Sequence, residues 1–222
     1  MKTNPRPATG AAQAFTLIEL LVVVTIIAIL AGLVMSQGPK IMEDARKLQV
    51  QTVIKDLRLA IGSYQVEYNR WPVNASMLSS GSSGEDIQAF PTDENSGMVD
   101  ALLSTSSSSS SGGGGGSGST NLNPKDIKFI DLPIAKNGKF GLVNPQPPYK
   151  LVDLWGTPYH VLLDTNGDKQ VQNPDQNNSD PSISQNTTSP PPQNLPTEIA
   201  IYSYGKDMMP TTRDDVVSWR QK

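Results

Sequence analysis

The chain of 222 residues contains no cysteine and a single histidine, His160. Without cysteine there is no disulfide framework, no thiolate zinc site and no cysteine nucleophile. One histidine rules out a multi-histidine metal cluster and weakens any Ser-His-Asp arrangement; a lone histidine reads first as a structural residue. Neither sign of charge dominates. Eighteen Lys and Arg stand against 21 Asp and Glu, a net charge of −3, so no nucleic-acid partner is expected. A phosphate-cradling loop is also missing, because the glycine run at 112–116 has no Lys-Ser/Thr behind it and no strand pattern before it. No acid–base pair stands out by spacing, and no catalytic site is expected.

What is present is a long apolar run. From Phe15 to Met35 every residue is apolar or small except Glu19, with Thr16 and Thr25 as mild hydroxyls. A helix needs roughly 20 such residues to cross a bilayer. A carboxylate inside a membrane helix costs about 2.5–3.5 kcal/mol on insertion scales, so Glu19 calls for a partner. A plain anchor or an uncleaved secretory signal is one reading, with Lys2 and Arg6 as its basic start. The apolar core exceeds the roughly 7–15 residues of a secretory signal, however.

The segment Ala14-Phe15-Thr16-Leu17-Ile18-Glu19-Leu20-Leu21-Val22-Val23 resembles the amino terminus of type IV pilin-like proteins, in particular the pseudopilins of type II secretion. The resemblance implies a prepilin leader over residues 1–14, cut by a prepilin peptidase between Ala14 and Phe15, and methylation of the new Phe15 amine. Ala14 stands where the family usually has Gly. The resemblance also implies a role for Glu19 in assembly, its carboxylate facing the amino-terminal amine of a neighbouring subunit. Two opposite charges in a packed apolar core attract strongly, but desolvation offsets much of the gain, so the pair sets register more than stability.

Downstream of Pro39 the apolar positions Ile41, Ala45, Leu48, Val50, Val53, Ile54, Leu57, Ile61, Tyr64 and Tyr68 recur at helical spacing. Residues 15–38 are therefore read as a transmembrane and assembly helix, and 39–70 as its amphipathic continuation in the soluble domain. Pro39 is expected to bend the helix, and Arg70-Trp71-Pro72 to end it. Residues 71–222 are read as a small periplasmic β-sheet domain. It is interrupted by a Ser/Gly linker at 104–120 and a polar flexible segment at 172–196. A short helix is expected around Val99–Leu103. Strands are expected at Asp126–Asp131, Lys139–Val143, Pro158–Leu163 and Glu198–Tyr204. The fold class is α+β: a long amino-terminal helix packed on a small antiparallel sheet, as in pilins.

Three further segments bear on a site. Asp153-Leu154-Trp155-Gly156-Thr157-Pro158-Tyr159 resembles a segment of the major pseudopilin, where Trp packs between helix and sheet and Gly-x-Pro turns the chain. Ile201–Asp207 with Asp214–Trp219 resembles that family's carboxy-terminal region, which binds one Ca²⁺. Carried over by position, Asp207, Asp214 and Asp215 are carboxylate ligands and Tyr204 a carbonyl ligand; Met208 replaces the family's Gly. Asp164, Asn166 and Asp168 have the spacing of the first half of a calcium loop, and equally that of a hairpin turn.

The resemblance implies a subunit that assembles with itself into a helical polymer in the bacterial inner membrane, amino terminus in the cytoplasm. The positive leader and the positive-inside rule favour the same orientation. Its partners are minor pseudopilins, the peptidase, a membrane platform protein and an assembly ATPase. Two alternatives stay open: a type IV pilus subunit, and a membrane-anchored periplasmic binding protein.

Overall fold

The computed structural model describes residues 15–78, 86, 89–104 and 121–220, with the side chains of 34–39 and 76 left aside. The expected leader, with Ala14, and nearly all of the Ser/Gly linker fall outside those residues. The main elements are helix α1 (Leu17–Tyr68), α2 (Ala75–Leu78), β1 (Ala89–Pro91), α3 (Met98–Leu103), β2 (Gly141–Leu142), β3 (Leu151–Val152), β4 (His160–Leu163), β5 (Val171–Gln172), α4 (Pro181–Ser184), β6 (Asn194–Leu195), β7 (Ile199–Ser203) and β8 (Val216–Val217). A 3₁₀ turn at Pro174–Asn177 precedes α4. The class is α+β and pilin-like.

The chain divides into two units, residues 1–45 and 46–222. In the first, residues 15–33 are all exposed. Among the described residues no helix is long and apolar enough to cross a membrane. The apolar run reaches Met35 in the sequence. The helix is continuous through Pro39 and stops at Tyr68, two residues before the expected end. Asn69 takes the left-handed conformation there, φ 50°, which closes the last turn.

In the second unit, Val50, Ile54, Leu57, Ile61 and Tyr64 alternate steps of four and three and are all at most 2 % exposed. They form one core with Val161, Leu163, Ile199 and Ile201. Those strand residues lie on one face of a four-stranded antiparallel sheet in the order β1-β4-β7-β8. Alternation in β4 and β7 sends Leu162, Ala200 and Tyr202 to the other face. There they pack with Val171 and Leu195 from the β5–β6 ribbon. The sheet is thus covered on both sides.

The polar stretch expected as a long loop at 172–196 carries the 3₁₀ turn, α4 and β6, and it buries Asn173, Asp175 and Asn178. Its polar groups bond one another and the carboxy-terminal segment. Asp175 takes a bidentate pair from Arg220, at 2.9 Å (Nε) and 2.7 Å (Nη2), and the Trp219 Nε1–H at 2.7 Å. Residues 126–131 form no strand. They run along α3, with the Phe129 amide donating to the Leu102 carbonyl at 2.9 Å. The expected helix there is observed as α3, starting one residue earlier than read.

Candidate functional site

At the amino-terminal end, Phe15 precedes the first helical residue and is 80 % exposed. Thr16 and Glu19 form a reciprocal pair across the first turn. The Glu19 amide donates to Thr16 Oγ1 at 3.3 Å, and the Thr16 amide and hydroxyl donate to Glu19 Oε2 at 3.4 and 3.3 Å. This is a Thr-x-x-Glu capping box, which satisfies donors that an α-helix leaves open at its start. The first intrahelical bond, Leu20 N to Thr16 O, is 3.2 Å. The carboxylate also complements the positive end of the helix dipole. Glu19 therefore has a local partner within its own chain, a role that the sequence reading missed although Thr-x-x-Glu before an apolar run is its signal.

In the carboxy-terminal loop the structure brings together three of the predicted ligands. Carboxylate oxygens of Asp207, Asp214 and Asp215 all lie within 4.8 Å of one another. The loop leaves β7 through Gly205 at φ 72°, where a Cβ would stand 2.5 Å from the Asp214 carbonyl oxygen and 2.7 Å from its Oδ2. Only glycine allows that approach. Asp214 Oδ2 accepts the amides of Lys206 and Asp207 at 2.7 and 3.0 Å. The Thr212 hydroxyl lies 2.9 Å from Asp214 Oδ1 and 3.1 Å from Asp215 Oδ1, so two carboxylates share one proton donor. Asp207 Oδ1 accepts the Met209 amide at 2.8 Å. Burial pushes the Asp215 carboxyl up to about 7; bonds from Thr212 and the charge of Arg220 oppose the rise, and Asp214 adds to it. Burial also works against charge on Asp214, but the amides and the Thr212 hydroxyl outweigh it and hold that carboxyl below its ordinary range.

Tyr204 stands at the end of β7 with its ring stacked on His160, 4.2 Å between centroids; Tyr202 stacks on the same imidazole at 5.3 Å. Burial pushes His160 down to about 4, against the pull of Asp93 and Asp153. A histidine whose folded value is depressed stabilises the fold above its unfolded value of about 6.5 and withdraws that support as the pH falls towards 4. The urea midpoint of the wild-type chain is therefore expected to drop between pH 7 and pH 4.5 by more than that of His160→Gln. Equal drops would show that the imidazole takes up its proton without cost to the fold.

The two resembling segments meet through Asp153, a fully buried carboxylate. Its Oδ1 accepts the amides of Trp155, Gly156 and Thr157 at 2.9, 2.8 and 3.0 Å. Its Oδ2 accepts the hydroxyls of Thr157 and Ser203 at 2.7 and 2.5 Å. Ser203 Oγ in turn accepts the Gly205 amide at 3.2 Å, at the root of the aspartate loop. Trp155 packs in the core as expected. The carboxylate that organises the segment has a sequence signal, Asp two residues before Trp-Gly-Thr-Pro.

The Asp164–Asp168 turn is not a hairpin. Strand β4 before it pairs with β1 and β7, whereas β5 after it pairs with β6. The Asp164 carboxylate accepts the amides of Gly167 and Lys169 at 2.6 and 2.8 Å, and both residues have left-handed φ, 83° and 62°. The chain so wraps one side chain and leaves towards another sheet. Asn166 Oδ1 accepts the Asp168 amide at 2.8 Å. Asp164 and Asp168 have carboxylate oxygens within 4.8 Å of Asp86, whose Oδ1 accepts the Thr165 amide at 2.8 Å. Asp86, Asn166 and Asp168 also line a polar recess of about 140 Å³. No local spacing announces Asp86.

Residues 10–35 match the family model described as the prokaryotic N-terminal methylation motif. That match places the type IV pilin-like signal on the same residues that carry the capping box. The signal implies processing by a prepilin peptidase and polymerisation into a filament. No curated protein and no solved structure matches the chain.

Proposed function

We propose that this chain, a type IV pilin-like protein by its amino-terminal signal, is a structural subunit of a type II secretion pseudopilus. In this reading it is cleaved before Phe15, methylated on the new amine, and polymerised to drive protein export across the outer membrane. The observation that carries the proposal is the methylation motif over residues 10–35. The α+β architecture and the two segments joined at Asp153 and Ser203 support it. The apolar run lies in the bacterial inner membrane, with the amino terminus cytoplasmic and the domain from residue 46 periplasmic. The subunit has no catalysis of its own; an assembly ATPase acting through a platform protein moves the filament, and minor pseudopilins complete it.

Co-expression with a prepilin peptidase, followed by intact mass and amino-terminal sequencing of the membrane extract, tests this directly. A product starting at methylated Phe15 is expected. A chain that still starts at Met1 would defeat the proposal and favour the membrane-anchored binding protein.

We further propose that the carboxy-terminal aspartates hold one calcium ion. Calcium takes six to eight oxygen ligands, and the carboxylates of Asp207, Asp214 and Asp215 supply hard oxygens close together. The Tyr204 carbonyl and water would complete the set. A bound cation would offset the repulsion among the three carboxylates and pin the loop. Calcium at about a hundred times its dissociation constant is expected to raise unfolding stability by about 2.7 kcal/mol. Asp207→Asn keeps the oxygen that accepts the Met209 amide and is expected to lose most of that response. A wild-type midpoint that ignores calcium would rule the site out.

A further inference from the structure

The polar segment 172–196 lines an open groove of about 730 Å³, together with Arg58 of α1 and the carboxy-terminal Trp219 and Arg220. All of these residues belong to the second unit. The volume falls within the range of about 300–1,000 Å³ usual for ligand clefts. Apolar surface comes from Trp219, Leu195 and the run Pro190–Pro192. That run is held by its carbonyls: Pro191 accepts from Gln176 Nε2 at 2.5 Å and Pro192 from Asn173 Nδ2 at 2.9 Å. Proline also fixes φ, so this wall loses little freedom when something binds against it.

The charges of the groove do not balance. The carboxylate that lines it, Asp175, is saturated by two N–H donors of Arg220 and the indole N–H of Trp219. Arg58 donates to Thr197 Oγ1 at 2.8 Å, and among the described residues no carboxylate forms an ion pair with it. In the adjoining recess Lys169 offsets Glu198. One positive charge is left over, on a guanidinium with most of its five donors uncommitted. Donors also outnumber acceptors among the neutral groups. Asn186 Oδ1 and Ser218 Oγ each accept a backbone amide, whereas the Asn186 Nδ2 and the hydroxyls of Ser189 and Ser218 donate to no described residue.

We propose that this groove binds an acidic peptide segment of a partner protein, a carboxylate flanked by apolar residues. The carboxylate pairs with Arg58, whose planar fork matches its two oxygens. The flanking side chains lie on Trp219 and the proline run; Trp and Arg are the residues that most often dominate protein–protein contacts. The donors of Asn186, Ser189 and Ser218 serve the peptide's backbone carbonyls, which need new partners once they leave water. A lipid acyl chain would leave those donors unpaired, at a cost in free energy. The inference stands apart from the question of which filament the chain joins.

Fluorescence anisotropy with the full chain in phosphatidylcholine nanodiscs tests it. The probe is fluorescein-labelled Gly-Leu-Asp-Leu-Gly with an amidated end, compared with the same peptide carrying Asn in place of Asp. Saturable binding of the Asp peptide is expected, about tenfold tighter than that of the Asn peptide. Arg58→Gln is expected to weaken the Asp peptide about tenfold and leave the Asn peptide unchanged. Its urea midpoint is expected to stay at the wild-type value, since Arg58 is exposed and makes one side-chain bond. Lys136→Gln, which does not line the groove, is expected to change neither affinity. No saturable binding, equal affinity for the two peptides, or wild-type binding by Arg58→Gln would each overturn the proposal. Octanoate that competes as well as the unlabelled Asp peptide would overturn it too, because the groove would then take any apolar anion.

Discussion

Replacing Asp153 by alanine is expected to unfold the unit from residue 46 onward under conditions where the wild type is stable. The substitution strips the acceptor from three amides and two hydroxyls at once, all of them buried or partly buried. Each buried donor left without a partner costs about 1–3 kcal/mol, and the effects are not additive within one network. A loss of more than about 4 kcal/mol is expected, a large fraction of the roughly 5–15 kcal/mol by which domains are stable. Asp153→Asn keeps one oxygen for the three amides, and the hydroxyls of Thr157 and Ser203 can rotate to accept from its Nδ2. Its loss is expected to be less than half that of the alanine variant. Urea unfolding followed by tryptophan fluorescence measures both, since Trp71, Trp155 and Trp219 all lie in the second unit. If Ala and Asn cost the same, the charge matters and the hydrogen-bond geometry does not.

Changing Glu19 is expected to leave membrane insertion intact and cut assembly by about tenfold or more. The carboxylate has two duties in this reading. Within its own chain it closes the capping box with Thr16. In the polymer it would face the methylated Phe15 amine of a neighbour, where a pair at about 4 Å attracts by about 4 kcal/mol at an intermediate dielectric. Desolvation takes back much of that sum. Glu19→Gln separates the duties, because a glutamine oxygen still accepts from Thr16 but carries no charge. Both Glu19→Gln and Glu19→Ala are expected in the membrane fraction and nearly absent from sheared filaments when co-expressed with tagged wild type. Normal incorporation of the glutamine variant would reduce Glu19 to a helix cap.

Features with a period or a fixed local spacing were legible in the sequence. The apolar run and its single carboxylate, the 50–64 stripe, the alternation in β4 and β7, and the short helix α3 each depend on neighbours a few residues apart, and a linear reading detects those. The aspartates of the carboxy-terminal loop came from resemblance, carried over by position, and the structure places their carboxylate oxygens within 4.8 Å of one another. What failed was long-range. Polar residues at 172–196 read as a loop because a sequence shows their polarity and hides their partners. Asp175 is buried with Arg220 and Trp219 as its partners, which come to it from 45 and 44 residues away. The Asp164 turn read as a hairpin because its residue types suit one; the pairing of the strands beyond it decided otherwise.

By itself, then, the sequence determined that the chain has one long helix, an apolar and signal-bearing start, an antiparallel β domain and a cysteine-free, metal-thiolate-free chemistry. Those follow from composition, from spacings that water sorts into buried and exposed faces, and, for the signal, from resemblance. Only the tertiary structure decided which acids are neighbours, why Asp153 is the hub of its segment, how both faces of the sheet are covered, and which helix face remains open. Hydrogen bonds between residues far apart in the chain and burial on one face rather than another exist only once the elements are packed, and no local pattern encodes them.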